Sequence, residues 1–226
     1  MRTGSYLMQK YSPDTENEQP EDARKLHWEN IYSKKGAMQV SWYAPHLELS
    51  LKLIEQTGVS TAGQIIDVGG GDSTLVDDLM EKGYEKISIL EISHTAIEIS
   101  KARLGVRAKD VQWIEADVTQ VELPQNHYDI WHDRAVFHFL TSAEDRRRYL
   151  DLVKASLKSG GHLIIATFAQ DGPVKCSGLD VVRYTTDKII AEVGIDFEFI
   201  ESMSETHKTP SNTEQKFLYS CFRKRN

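Results

Sequence analysis

The chain has 226 residues, 40% of them hydrophobic and 27% charged, with a formal net charge of −7. That length and mixture fit one large domain with a single core and exclude a disordered chain or a disulfide scaffold. The negative charge repels a phosphate backbone, no apolar run has the length of a membrane span, and residues 1–20 lack the apolar stretch of a signal peptide. Neither nucleic acid nor membrane is therefore an expected partner, and the chain reads as cytoplasmic.

Residues 12–22 are polar, acidic and proline-flanked, a composition that cannot bury enough apolar area to order itself, so residues 1–22 read as a flexible acidic arm. A single domain is expected over residues 23–226, with N-terminal helices and a lid over 23–60 and the core over 61–226. Helical spacing of Leu26, Trp28, Ile31 and Tyr32 predicts a helix over 23–32, ended by Lys34-Lys35-Gly36. The aromatics Trp42 and Tyr43, upstream of the core pattern, read as a lid that excludes water from a site, with packing of the N-terminal helix on the domain as the alternative.

From Gln64 onward, short apolar runs alternate with longer amphipathic segments, the pattern of βα units around a parallel sheet. Strands are predicted at Gln64–Val68, Lys86–Glu91 and residues 111–116, 128–132 and 162–168. Helices are predicted at residues 73–82, His94–Leu104, residues 143–158 and Thr186–Val193. Residues 197–206 and 216–223 read as an antiparallel pair joined by the turn-rich Lys208-Thr209-Pro210-Ser211-Asn212, closing one sheet edge. Cys176 and Cys221 lie far apart without metal-ligand or redox spacing, so no metal is expected.

The strongest chemical signal is Asp67-Val68-Gly69-Gly70-Gly71-Asp72-Ser73, a strand that runs into glycines and then a helix. Glycines allow a ligand close to the backbone, and a helix start offers free N–H groups. About twenty residues on, Glu91 ends an apolar strand where an acidic residue hydrogen-bonds ribose hydroxyls in nucleotide-binding βαβ units. The two signals together indicate a nucleoside ligand. A nicotinamide dinucleotide is disfavoured because Thr74 stands where its fingerprint needs a third glycine, and because Asp67 repels a pyrophosphate while favouring a cationic ligand.

On these residues the chain resembles the class I, Rossmann-like S-adenosylmethionine-dependent methyltransferases over roughly residues 28–168. The glycine loop is similar to their first motif, D/E-x-G-x-G-x-G, with Ser73 at the last glycine position. The resemblance implies S-adenosylmethionine as cofactor and an α/β fold: a doubly wound, mostly parallel seven-stranded sheet with an antiparallel C-terminal strand and an N-terminal helical lid. It also implies Asp67 and the backbone of Gly69, Gly70, Gly71 and Ser73 near the methionine part, Glu91 on the ribose and Ile92 beside the adenine. Ile114-Glu115-Ala116-Asp117-Val118 resembles the third motif, implying Asp117 on the adenine amino group and the Val118 backbone on the ring.

Ligands of such sheets bind at the carboxyl ends of strands, which places Asp133 and Arg134 under the reacting group. His138 is a candidate general base, and packing between Phe137 and Phe139 is its alternative. Asp133 is followed by Arg134-Ala135-Val136 and not by the D-K-G-T of protein-lysine members, while Phe137-His138-Phe139-Leu140 is more similar to small-molecule members. The expected partner is accordingly a small-molecule methyl acceptor, with no oligomeric state indicated. Cys176, Arg183 and Tyr184 either line an acceptor pocket or belong to an ordinary loop. A methyltransferase-like binding module without turnover is the non-enzymatic alternative.

Overall fold

In a computed structural model, which describes residues 20–34 and 39–226, the chain forms six α-helices and nine strands among the described residues. Helix α1 spans Pro20–Lys34 and α2 Glu48–Gln56; the core then runs β1 (Gln64–Val68), α3 (Leu75–Glu81), β2 (Lys86–Glu91), α4 (His94–Leu104), β3 (Val111–Glu115) and β4 (Tyr128–Arg134). It continues with α5 (Ala143–Ser156), β5 (Leu157–Phe168), a two-residue-stranded hairpin β6 (Lys175–Cys176) and β7 (Leu179–Asp180), α6 (Thr186–Val193), β8 (Phe197–Lys208) and β9 (Glu214–Lys224). Seven strands make one sheet in the order β3-β2-β1-β4-β5-β9-β8, parallel except that β9 runs antiparallel to both β5 and β8. The C-terminal strand is thus inserted inside the sheet and β8 forms the edge.

Each face carries its own buried cluster, as a sheet covered on both sides requires. Ile65, Ile87, Ile89, Ile130 and Ile164 pack with Leu53 and Ile54 of α2 and Leu75, Val76 and Leu79 of α3. Ile66, Leu90, Trp131, Leu163 and Ile165 pack with Tyr149 and Val153 of α5 and Ile189 and Val193 of α6. Successive residues of one strand alternate between these clusters, the period of two that strand geometry imposes.

Most expected elements appear within a few residues of their places, and the differences have local causes. The expected arm lies outside the described residues as far as residue 19, and α1 begins at Pro20, whose fixed φ suits a first turn. The expected start of α3 at Ser73 moves to Leu75, because Ser73 is held in a turn with its N–H on Gly70 O and its Oγ accepting from Leu75 N. Strand β5, expected over 162–168, starts already at Leu157 opposite Tyr128; Gly160, at φ 74°, accompanies a register shift there. Helix α2 falls among the N-terminal helices expected over 23–60, where no bounds were predicted for it, and the β6-β7 hairpin was not anticipated. No helix among the described residues is long and apolar enough to cross a membrane.

Behind β4, the Tyr149 hydroxyl donates to Asp133 Oδ2 at 2.6 Å and accepts from Trp131 Nε1 at 2.9 Å, all three side chains being fully buried. Tyr149→Phe leaves the indole N–H without a partner and strips one donor from a buried carboxylate. It should lower unfolding free energy by about 1–3 kcal/mol in urea titrations; unchanged stability would mean that this bridge does not anchor α5.

Candidate active site

Strand β1 ends in Asp67-Val68 and turns at once through three glycines, which serve different purposes. Gly69 adopts φ 70°, and its N–H reaches Leu90 O at 2.7 Å, tying the loop to the end of β2. Gly70 and Gly71 make room for carboxylates: a Cβ on Gly70 would lie 2.3 Å from Asp67 Oδ2, and one on Gly71 2.8 Å from Glu91 Oε2. Both acids are buried at the carboxyl ends of adjacent strands. Asp67 Oδ1 is 2.7 Å from His132 Nδ1, whereas its Oδ2 has no hydrogen-bond partner among the described residues. Glu91 accepts from Ser93 N at 2.8 Å and Gly71 N at 3.3 Å. Burial pushes its carboxyl up to about 7, the backbone N–H groups opposing that rise.

Beyond β3 the buried Asp117 accepts from the Thr119 N–H and hydroxyl on Oδ1, at 2.8 and 2.7 Å, and from Arg24 Nη1 on Oδ2 at 3.1 Å. Arg24 belongs to α1 and also pairs with Asp145. The same helix pairs Lys25 with Glu115, and its Glu29 accepts from the N–H groups of His94 and Thr95 at the start of α4. Helix α1 is therefore fastened across the strand ends by charges, while Trp28 turns inward, edge-on to Phe139 and Trp42 at 5.0 and 5.9 Å.

Under α1 lies a cavity of about 420 Å³, within the size range of small-ligand sites. One half is walled by Gly69, Glu91, Ile92, Asp117 and Val118; the other is walled by Trp42, Arg134, Phe139, Phe168, Gln215 and Phe217, with Cys176 and Leu179 of the hairpin. A smaller adjoining space of about 30 Å³ is lined by Tyr43, Asp67, Gly70, Ser73 and His132, and Trp42, Val68, Gly69 and Arg134 border both. Gly71 lines neither space and acts through its N–H on Glu91. Trp42 also packs edge-on to Tyr32 at 5.9 Å.

Strand β4 sends alternate residues to opposite faces. His132 sits in register between Asp67 of β1 and Ile164 of β5, and its Nε2 is 2.9 Å from Ser50 Oγ on α2. Arg134 shares that face. In register with it lie Ala166 of β5 and then Tyr219 of β9, and the small alanine lets the arginine cross β5, so that its Nε donates to Tyr219 Oη at 2.9 Å. The guanidinium rests on the Phe217 ring at 4.4 Å, and Nη1 donates to Trp42 O at 3.2 Å.

Two expected catalytic residues are displaced from the site. Asp133 points to the opposite face, lines neither space, and accepts from Val136 N, Phe137 N and Tyr149 Oη. Burial pushes it up to about 6 against those donors. It shapes the turn after β4 and cannot lie under a reacting group. His138 is fully buried, and its Nδ1 accepts from Phe168 N at 3.2 Å. Burial and the charge of Arg134 push its pKa down to about 3, so the ring is neutral with its proton on Nε2 and has no free lone pair for base catalysis. Of the three residues between β5 and α6 that were candidates for an acceptor pocket, Cys176 borders the cavity, Arg183 holds Gln170 O and Gly172 O, and Tyr184 is buried against Phe137.

Residues 66–165 match the family model described as a methyltransferase domain. The chain is 26% identical over 150 residues to a mouse (Mus musculus) protein named eEF1A lysine and N-terminal methyltransferase, covering 64% of this chain and 21% of that one. It is 27% identical over 121 residues to the ubiquinone/menaquinone biosynthesis C-methyltransferase UbiE of Azotobacter vinelandii, covering 52% and 47%. The chain thus spans about a fifth of the first relative and under half of the second. Among solved structures, the 1,6-didemethyltoxoflavin-N1-methyltransferase of Burkholderia thailandensis, with S-adenosylhomocysteine bound, superposes with a TM-score of 0.66 at 16% identity over 90% of this chain and 89% of that one. Likeness at that identity establishes the fold.

The charge fastening of α1 makes a direct prediction. Arg24→Ala removes one cation from Asp117 and Asp145, and at about 1 kcal/mol for a partly exposed bridge the amides of α1 should exchange about fivefold faster, with those of β1 and β4 unchanged. Equal exchange in both proteins would show that the aromatic contacts of Trp28 alone hold the helix.

Proposed function

Because the chain belongs to the class I S-adenosylmethionine-dependent methyltransferases, we propose that it transfers the methyl group of S-adenosylmethionine to a small-molecule acceptor held beneath Trp28 and Trp42. The observation that carries this reading is the continuity of one cavity: it runs from the carboxylates at the ends of β2 and β3 to an aromatic half walled by Phe139, Phe168 and Phe217.

The residues present fit the cofactor. The free Oδ2 of Asp67, left open by the missing Cβ of Gly70, suits a cationic methionine end. Glu91 retains acceptor capacity beyond its two backbone donors and suits a pair of ribose hydroxyls. Ile92, Asp117 and Val118 border the same half and suit an adenine, with Arg24 sharing the Asp117 carboxylate. Ser73 serves the loop turn. When bound, the cofactor supplies an electrophilic methyl on a sulfonium, a good leaving group that asks mainly for alignment of the nucleophile. Trp28, Trp42 and Phe139 supply the apolar cover that aligns the acceptor and excludes water.

A second reading, a protein amine as acceptor, is favoured by the likeness to relatives named eEF1A lysine and N-terminal methyltransferase. Incubation with methyl-labelled S-adenosylmethionine and either small acids, amines and thiols or cell-extract protein separates the two. Label in the small-molecule fraction supports the first, label confined to protein supports the second, and no transfer with retained cofactor binding leaves a binding module.

Glu91 gives the cofactor assignment a pH signature. Its raised carboxyl holds a proton in part of the free protein near neutral pH, and hydroxyl donors favour the carboxylate, so binding releases a proton. Affinity for S-adenosylhomocysteine should rise with pH below about 7, by at most about tenfold per unit, and level off above it. Calorimetry on Glu91→Gln should find weaker binding with this slope abolished; an unchanged slope would assign the proton elsewhere. Gly71→Val drives a side chain into Glu91 and Ala96 and should abolish binding in a protein that stays folded by circular dichroism.

A further inference from the structure

We propose that Arg134 is the receptor for a carboxylate on the methyl acceptor, so that the acceptor is a small acid with an apolar, preferably aromatic, body; this rests on the methyltransferase reading above. The guanidinium is nine-tenths buried at 6% side-chain exposure, and three contacts fix its plane: Tyr219 Oη, Trp42 O and the Phe217 face. Those contacts use Nε and Nη1. Among the described residues Nη2 is buried without a hydrogen-bond partner; it is ion-paired with the partly exposed Glu205 of β8 at 3.7 Å, too long for a hydrogen bond, so its donor remains unused. A rigid, desolvated arginine with an unused donor is built to receive an anion.

The position of the side chain selects the acceptor over the cofactor. Arg134 starts on β4 beside the glycine loop, whose small space it also borders, but its guanidinium is carried across β5 to Tyr219 and Phe217 of β9, on the side of the sheet opposite Glu91 of β2. Among the described residues, the other cation bordering the cavity is Arg24, which is held by two carboxylates, Asp117 and Asp145. Gln215 of β9 borders the same half and has a buried Oε1 without a partner, which supplies a second polar anchor among otherwise aromatic walls. An acid whose body lies on Phe139, Phe168 and Phe217 uses both.

The test is calorimetric titration of the full chain, saturated with S-adenosylhomocysteine, with benzoate, phenylacetate and 3-phenylpropanoate and with the matching carboxamides. At least one acid should bind about tenfold or more tighter than its amide, and Arg134→Gln should erase that ratio while changing S-adenosylhomocysteine affinity by less than about threefold. Gln215→Glu, which keeps the arginine and its packing, places a competing carboxylate in the cavity and should likewise erase the ratio, so the outcome does not hang on the folding of one variant. Equal affinity for acids and amides, or failure of every acid to bind, overturns the proposal. So does a loss of about tenfold or more in S-adenosylhomocysteine affinity on Arg134→Gln with the acid preference intact, which would give the arginine to the cofactor's own carboxylate. Failure of the wild-type chain to bind S-adenosylhomocysteine at all would instead remove the methyltransferase reading itself.

Discussion

Strands β1 and β4 lie side by side, yet the chain leaves β1 toward β2 on one side and returns to β4 on the other. A crevice opens at the carboxyl ends of such a pair, and everything at the site depends on which side chains the pair sends into it. Register and pleat decide that. Asp67 and His132 are partners across the ladder and hydrogen-bond within one face, Arg134 follows on the same face, and Asp133 between them is committed to the other. One residue of slip in β4 would exchange the two sets.

The same crevice concentrates negative charge in a chain that is already acidic. Asp67, Glu91 and Asp117 are all buried along one wall, and each is made tolerable differently: an imidazole for Asp67, backbone N–H groups for Glu91, and a hydroxyl, an N–H and the Arg24 guanidinium for Asp117. Buried carboxylates need such partners, since an unpaired charge in a low dielectric costs several kcal/mol. Because Arg24 arrives on α1, the compensation of Asp117 and the covering of the cavity are one interaction. That coupling links the electrostatics of the wall to the position of the cover.

Across the cavity the chemistry changes from carboxylate to aromatic, and the change coincides with the insertion of β9 between β5 and β8. Phe217 and Tyr219 come from that antiparallel strand, and Ala166 is the small residue over which Arg134 reaches them. The half that suits a nucleoside is therefore built from the carboxyl ends of β1, β2 and β3, and the half that suits an acceptor from β4, β5 and β9 together with Trp42 and Phe139.

Local pattern alone determined a good deal. Period-two and near-continuous apolar runs placed seven strands, a glycine run after Asp67 marked the turn, and Glu91 at a strand end marked the candidate nucleoside half, because these depend on neighbours in sequence; Asp117 entered only through the family resemblance. Residues after β4 were legible only by analogy with strand ends, and there the assignment failed: the pattern does not say to which face a strand-end side chain turns, so Asp133 and His138 looked equal to Arg134 until Tyr149, Phe168 and the pleat claimed them. Helix α2 carried no distinct signal beside the aromatics before it, and Arg24, Gln215, Phe217 and Tyr219 had none as site residues. What brings them to the cavity is sheet order and the crossing of α1, contacts between segments some 90 residues apart such as Arg24 with Asp117, and only the folded chain sets that distance to a hydrogen bond.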